Sequence, residues 1–388
     1  MNRLHSKFQR VVKGYKAMRT LLAIAIGASA ILPVSAMAHR GDADDAGAVF
    51  VMTNNADENE VIAYERNTDG KLYNARRFKT GGRGSGGNTD PLVSQGSLVL
   101  SEDGSLLFAV NAGSGEISVF RVRDARLSLE DVVPSGGSEP NAVAQHGNLV
   151  YVLNAAGSSS VVGFQLYHGK LKRIPQSLRF LSRNNAGPAS IAFSPNGQFL
   201  LVTERSGNSI DAFHIESNGT LSPIVISPSA GAGAFAVTFA PNGVALVSET
   251  GAGANTSAIS SYAVHADGSL VPISISIPTL ATANCWNAVT PNGRYVYTSN
   301  AGSSNIAGFS ISATGALTPL PGTIVGANAN GATNLDIAIS ADGKFLYSLN
   351  SGNGTVGMFA IRADGKLTNL RAVPGLSAVA GFNGIAAK

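Results

Sequence analysis

The 388-residue sequence predicts an all-β fold, a seven-bladed β-propeller closed by pairing of its C-terminal strand with the N-terminal blade. Three observations lead there. A unit of roughly fifty residues recurs seven times, the size of a four-stranded blade. Each unit reads as short apolar strands broken by turn residues. The strand missing from the first unit is found at the far end of the chain.

The repeat runs P-N-G or A-D-G, an apolar strand, Asn or Glu, a Gly/Ser turn, then a second apolar strand and D-G-x-L. Its copies are AVFVMTNNADENEVIAYERNTDGKL, EDGSLLFAVNAGSGEISVFRVRDARL, HGNLVYVLNAAGSSSVVGFQLYHGKL, PNGQFLLVTERSGNSIDAFHIESNGTL, PNGVALVSETGAGANTSAISSYAVHADGSL, PNGRYVYTSNAGSSNIAGFSISATGAL and ADGKFLYSLNSGNGTVGMFAIRADGKL. Runs of Val, Ile, Leu, Phe and Tyr bounded by Gly, Asn, Asp and Ser are strand chemistry. Dipeptides such as Asp69-Gly70, Asn196-Gly197 and Asp342-Gly343 mark the hairpins. No long segment after the leader has a helical period.

Before each turn lies one more strand: SLVLS at 97–101, NAVAQ at 141–145, SIAFS at 190–194, AVTFA at 236–240, NAVT at 287–290 and DIAIS at 336–340. The first unit, beginning near Ala48, lacks it. GFNGIAAK at 381–388 has the pattern to supply it as the innermost strand of the first blade. Joining the chain ends in one sheet removes two exposed edges.

Residues 1–38 are set apart as a secretory signal peptide. Six cations from Arg3 to Arg19 precede the apolar run LLAIAIGASAILPV and then Ala36-Met37-Ala38. The run is too short for a comfortable membrane span, so none is expected after cleavage. Met18 is an alternative start. A flexible tail at 39–47 and one propeller at 48–388 complete the organisation, and a periplasmic or secreted location follows.

The leader also explains the charge. The chain has 28 Lys+Arg against 24 Asp+Glu, but six cations and no anions lie in 1–38, leaving 22 against 24. The basic pI therefore carries no nucleic-acid argument, and no basic stripe with interleaved aromatics supplies one. One cysteine, Cys285, excludes an internal disulfide, so stability must come from buried apolar area. Without C-x-x-C-H or a His/Cys cluster, attached haem, structural zinc and quinone- or haem-dependent redox chemistry are disfavoured. No metal or cofactor is expected, and a monomer is.

With strands lettered a to d from the axis outward, the loops entering a and the b–c turns share one face. That face receives the b–c column Asn55, Asn111, Asn154, Glu204, Glu249, Asn300 and Asn350, and the entry residues Gln95, Asn141, Ala189, Trp286 and Asn334. Asn in five of seven blades suits a turn-capping role, because its side chain bonds backbone groups and tolerates left-handed conformations. Ionised Glu cannot donate a hydrogen bond, so Glu204 and Glu249 are not simple replacements. Either they line a functional pocket with Arg205 or they form structural links between blades. His146 and His168 fall in turns of the opposite face, and His214 and His265 along or just after c strands. A Ser-His-Asp or Cys-His mouth is thus poorly supported.

Other features have plainer readings. GGRGSGGN at 81–88 lacks the Gly-Lys-Ser/Thr ending of a phosphate loop and no helix follows, so it is a flexible d-to-a connection. From it Arg83, Asn88 and Asp90 can reach the mouth as a lid. Trp286 is a packing anchor or a stacking platform, and Cys285 a buried, inert thiol. DADD at 42–45 is a solvated tail.

The phrases SGGSEPNAVAQHGNLVYVLNAAG, VTERSGNSIDAF, VSETGAGANTSAISSY and CWNAVTPNGRYVYTSN resemble the exported branch of the lactonase-type seven-bladed propellers, proteins similar to phosphogluconolactonase and carboxymuconate cyclase. The resemblance covers essentially all of 48–388. It implies cleavage or formation of cyclic esters without a required metal. The cytosolic branch commonly enters an inner strand through Gly-Pro-Arg-His, where this chain has Gly187-Pro188-Ala189-Ser190, so that basic pair does not carry over. Export argues against a phosphorylated cytosolic sugar lactone as substrate. In a lactonase reading, Glu204 or Glu249 serves as general base or acid after a burial-driven pKa shift, and Arg205 stabilises the oxyanion or holds a substrate carboxylate. Gln95, Asn111, Asn141, Asn154, Trp286 and Asn300 would line the substrate site. The competing reading is a non-catalytic exported propeller that binds a ligand or an envelope or extracellular protein across its mouth.

Overall fold

The computed structural model describes residues 47–388; the leader, the tail as far as residue 46 and the DADD stretch lie outside the described residues. Among the described residues the strands form seven antiparallel sheets of four, one of which gains a short fifth strand. Among the described residues the helical content is a single 3-10 turn, Ala301–Ser303, and no helix there is long and apolar enough to cross a membrane.

The inner strands of blades 2 to 7 are Leu98–Leu100, Pro140–His146, Pro188–Phe193, Ala234–Phe239, Asn284–Val289 and Asn334–Ile339. Blade 1 takes its inner strand, Ile385–Ala387, from the C-terminus, paired with Gly47–Met52 in the register Val51 to Ile385, Phe50 to Ala386 and Val49 to Ala387. The closure expected from GFNGIAAK is therefore present. A charge-assisted contact seals it from the neighbouring blade: buried Arg66 meets Asp342 at 3.3 Å, reaches the Lys388 carbonyl at 3.4 Å and lies 5.2 Å from the Phe345 ring centre.

The a–b turns follow from their sequence. In blades 2, 4, 6 and 7 a Ser or Thr hydroxyl donates to an Asp or Asn two residues on, as in Ser101 to Asp103, Ser194 to Asn196, Thr290 to Asn292 and Ser340 to Asp342. The same carboxyl or amide oxygen accepts the backbone N–H two residues further along, which closes an Asx turn.

Middle strands are packed on both faces by neighbouring blades, so they read as continuous apolar runs: every residue of Leu106–Asn111, Phe199–Glu204, Tyr295–Asn300 and Phe345–Asn350 is buried. Three buried tyrosines need a partner for their hydroxyls and find it in the next blade. Tyr151 donates to the Gly219 carbonyl at 2.5 Å, Tyr297 to Gly365 at 2.8 Å and Tyr347 to Gly70 at 3.0 Å, the last bridging blade 7 to blade 1.

Five inner strands begin with a register shift, between Pro140 and Ala142, Pro188 and Ser190, Ala234 and Val237, Asn284 and Trp286, and Asn334 and Ile337. Such bulges re-aim side chains at strand starts. Here they lie at the axial end of the blades where the entry loops arrive.

Candidate functional site

The start of each inner strand pairs with the end of its b strand, Pro188 with Glu204 and Ala234 with Glu249, so the entry loops and the b–c turns do share a face. The b–c column belongs to the seams between blades. Asn111 accepts from Asn59 Nδ2 at 3.0 Å and from Thr80 Oγ1 at 2.7 Å, both in blade 1, and donates to Ser118 at 2.7 Å. Asn154 is buried against Gly137, and Asn300 donates to Asn305 Oδ1 at 2.9 Å. In blade 1 the column position is Thr53 rather than Asn55. Thr53 N–H bonds Glu60, in line with Asn111 opposite Glu116, while Asn55 is exposed in the loop beyond. The pair of asparagines in TNNADENE hid the register, and Asn59 supplies the amide.

Glu204 is fully buried. The Ser182 N–H donates to its Oε1 at 2.8 Å, the Ser182 hydroxyl to Oε2, and Ser209 Oγ to Oε2 at 3.2 Å, with Arg183 Nε 3.8 Å away. Ser182 and Arg183 arrive from blade 3, so this carboxyl joins blade 3 to blade 4. Glu249, 1 % exposed, does the same one seam on: it accepts from Gly231 N–H at 2.8 Å, Ser260 Oγ at 2.6 Å and Ser276 Oγ at 2.9 Å. Burial raises its pKa against those hydrogen bonds. It also borders a cleft of about 300 Å³ with Gly231, Thr256, Ser257 and Ser276. The two carboxylates thus occupy successive seams, each within its own set of donors.

Nearer the axis, the chain entering blade 2 crosses the mouth. Gln95 N–H donates to Ala189 O at 2.8 Å, and the Gln95 amide exchanges two hydrogen bonds with the Asn287 backbone. Ser94 Oγ donates to Asn141 O at 2.7 Å, Asn141 Nδ2 to Pro188 O at 2.9 Å, and Trp286 Nε1 to Ser94 O at 2.9 Å. Trp286 is buried edge-on to Phe235, which makes it the packing anchor of the two alternatives. Gln95, Asn141 and Trp286 therefore build a floor across the axis. Below that floor is a cavity of about 340 Å³ reaching toward the a–b turns, lined by Val143, Ile191, Phe193 and Phe239, with the 2.7 Å Glu102–His146 pair at its rim.

The loop at 81–88 is hydrogen-bonded along its length: Gly84 N–H to Asn55 O at 2.7 Å, Gly86 N–H to Asn54 O at 2.9 Å and Arg83 N–H to Ser114 Oγ at 2.9 Å. A side chain at Gly84 would strike the Asn54 backbone, which requires glycine there. This anchoring delivers Asp90 to the mouth, where Asn383 Nδ2 from the C-terminal segment donates to its Oδ1 at 2.9 Å.

Asp90 is the titratable group of this region. Burial pushes its pKa up to about 7, opposed by the Asn383 hydrogen bond and by the positive charge of Arg205. Arg205 is exposed on the blade 4 b–c turn, its own N–H tied to Gly187 O at 3.1 Å. Asp336, on the blade 7 entry bulge, is buried and raised to about 8, by desolvation first and then by the negative charge of Asp90; the Ile337 and Ile385 amides donate to it at 2.9 and 3.2 Å. Burial likewise lifts the Cys285 thiol, and Asp90 adds to that shift. Asp90, Arg205, Cys285 and Asp336 thus share one electrostatic neighbourhood. Asp336 had a sequence signal: in the inner-strand column it is a charge where Asn141, Ser190 and Asn287 are neutral. Among the described residues, no three of His, Cys, Asp and Glu gather as a metal-binding group.

A family model described as "Lactonase, 7-bladed beta-propeller" matches residues 45–182, 158–280 and 287–377. The chain belongs to this lactonase family. Among solved structures, this lactonase-family propeller is similar to a putative 6-phosphogluconolactonase from Bacteroides uniformis, at 21% identity and a TM-score of 0.66, with 88% of this chain and 99% of that one covered. A second putative 6-phosphogluconolactonase, from Bacteroides fragilis, gives 18% identity and 0.65 over 89% and 98%. A periplasmic gluconolactonase from Pseudomonas aeruginosa gives 17% and 0.65 over 87% and 99%. At such identities the likeness is one of fold. No curated protein matches the chain.

Proposed function

We propose that this lactonase-family propeller hydrolyses an extracytoplasmic lactone at the face where its entry loops converge. The observation that carries the reading is Asp90: a partly buried carboxyl that titrates near neutrality, within the field of an exposed arginine, above a floor of hydrogen-bonded residues. A general base works best when its pKa lies near the operating pH. Asp90 takes a proton from water as the water oxygen attacks the lactone carbonyl. Arg205 stabilises the tetrahedral oxyanion, and the ring alkoxide leaves with the proton returned by Asp90. The product is the open hydroxy acid, with one water consumed. Glu204 and Glu249 hold the turns and entry loops that frame this site.

Purified protein is assayed by proton release on aliphatic, aromatic and sugar lactones. Turnover by the wild type, lost in Asp90→Asn and weakened in Arg205→Ala, is expected; no turnover on any lactone would overturn the reading. The closed floor favours a second reading, in which the same face binds a ligand without reacting. Binding of a lactone unaltered over time would select it. Export is supported by the leader-like residues 1–38 and by the periplasmic gluconolactonase among the structural neighbours. Recovery of protein beginning just after Ala38 from the periplasm or medium is the expected result.

A further inference from the structure

Asp211 stands where no charge belongs. It is fully buried on the blade 4 c strand, two residues beyond Ser209, the register partner of Glu204. Neither carboxyl oxygen has a hydrogen-bond partner of full geometry; the Ser182 N–H lies close enough to favour the charged form, and Glu204 is within hydrogen-bonding reach. Two other seams, those at blades 5 and 2, carry a polar residue at this position. Glu249 pairs with Ala258, and two residues on, Ser260 gives its hydroxyl to Glu249 at 2.6 Å. Asn111 pairs with Glu116, and two residues on, Ser118 meets the Asn111 amide at 2.7 Å. In these two blades the position sets a hydroxyl against the column residue, accepting from Asn111 in blade 2 and donating to Glu249 in blade 5, whereas blades 1, 3, 6 and 7 carry Ile62, Val162, Ala307 and Gly357 there.

We infer that Asp211 is a neutral carboxylic acid whose O–H donates to Glu204, doing in blade 4 what the Ser260 hydroxyl does in blade 5. Two carboxylates in contact cannot both be ionised in a buried site, and one shared proton turns their repulsion into a hydrogen bond. Glu204 then accepts from Asp211 as it does from Ser182, with Arg183 beside it. The loop so held is clamped again further along, where Arg205 N–H and Ser206 N–H donate to Gly187 O and Ala186 O. Asp211 is a positioning residue: through Glu204 it sets the loop and turn that carry Arg205. Its bearing on catalysis rests on the lactonase reading; its protonation does not.

The charged groups facing Asp211 are Glu204 on the adjacent strand and Arg183 on the incoming loop. Burial and Glu204 raise its pKa to about 9, so its favourable contribution is complete below the ordinary aspartate range and is lost as pH rises through about 9. The test uses the full chain as wild type, Asp211→Asn, Asp211→Ser and Asp211→Ala. The infrared difference between wild type and Asp211→Asn at pH 7 is expected to show the C=O band of a protonated acid. The wild-type melting temperature is expected to fall relative to Asp211→Asn from pH 5 to 9, by several degrees, on the order of 5 °C. Asp211→Ser should fold with near-wild-type stability and Asp211→Ala should lose it. A carboxylate band, or parallel melting curves, would overturn the inference. Neither readout needs turnover, so an inactive protein would refute the lactonase reading and leave this one standing.

Discussion

Gln95 and Asn287 hydrogen-bond across the axis of the propeller in both directions, Gln95 Nε2 donating to the Asn287 carbonyl at 2.9 Å and Gln95 Oε1 accepting from the Asn287 N–H at 3.0 Å. The two residues are far apart in sequence and belong to blades 2 and 6. A primary amide carries both a donor and an acceptor, which allows one side chain to satisfy a peptide unit on the far side of the ring.

Gln95→Ala removes both bonds and leaves a buried N–H and C=O without partners. The expected loss is about 1–3 kcal/mol, read from urea unfolding. Gln95→Glu should cost a similar amount at neutral pH, because the ionised side chain keeps the acceptor and loses the donor. Unchanged stability in both would show that the crossing contact carries no weight.

The tyrosine contacts between blades make a second, independent prediction. Tyr297→Phe and Tyr347→Phe each keep the ring and remove a donor to a buried glycine carbonyl, at an expected cost of about 1–2 kcal/mol in equilibrium unfolding. The Tyr347 contact also joins the last blade to the first, so Tyr347→Phe should speed unfolding more than Tyr297→Phe. Equal unfolding rates would mean that the ring opens elsewhere.

Much of this was written in the sequence because a repeat exposes its own exceptions. Seven copies fixed the blade count, and a missing strand at one end matched a spare strand at the other, so closure through Ile385–Ala387 could be read directly. The odd residues of the b–c column could also be read, as Glu204 and Glu249. Their depth could not: the column shows which end of a strand a residue occupies, not how far from the axis it lies. Asp90 sits in the one long connection that breaks the repeat, so no column contained it. Asp336 and Asp211 are charged exceptions in the inner-strand and c-strand columns, open to the same logic as Glu204 but masked inside apolar strands, DIAIS and SIDAF.

Asp336 predicts a specific pH dependence. Its pKa is raised in the folded protein to about 8, from an ordinary value near 4 in the unfolded chain. For an acid shifted upward, stability is full below the unfolded pKa and falls as pH rises toward the folded one. Wild-type stability should therefore decline from about pH 4 to pH 8, and Asp336→Asn should remove part of that slope while its amide oxygen still accepts the Ile385 N–H. Asp211 lies on a different blade, so the slopes removed by Asp336→Asn and Asp211→Asn should add in the double variant. A wild-type slope untouched by Asp336→Asn would mean that Asp336 is ionised beside the C-terminal strand.

The decisive measurement for the mouth is the pH–rate profile. A base with a pKa of about 7 is active when deprotonated, so kcat/KM on a responsive lactone should rise through pH 7 and level above pH 8. Arg205 lowers that pKa, and removing its charge should move the midpoint of the rise upward in Arg205→Ala as well as reducing the rate. Arg205→Lys keeps a charge but not the planar fork, so its midpoint should stay close to wild type while its rate falls. Asp90→Asn should abolish the rise without displacing the floor below it, whose bonds run through Ser94, Gln95, Asn141 and Trp286. A profile whose midpoint ignores both Asp90 and Arg205 would move the chemistry to another group, and Glu249, whose raised carboxyl borders its own cleft, would be the next residue to change.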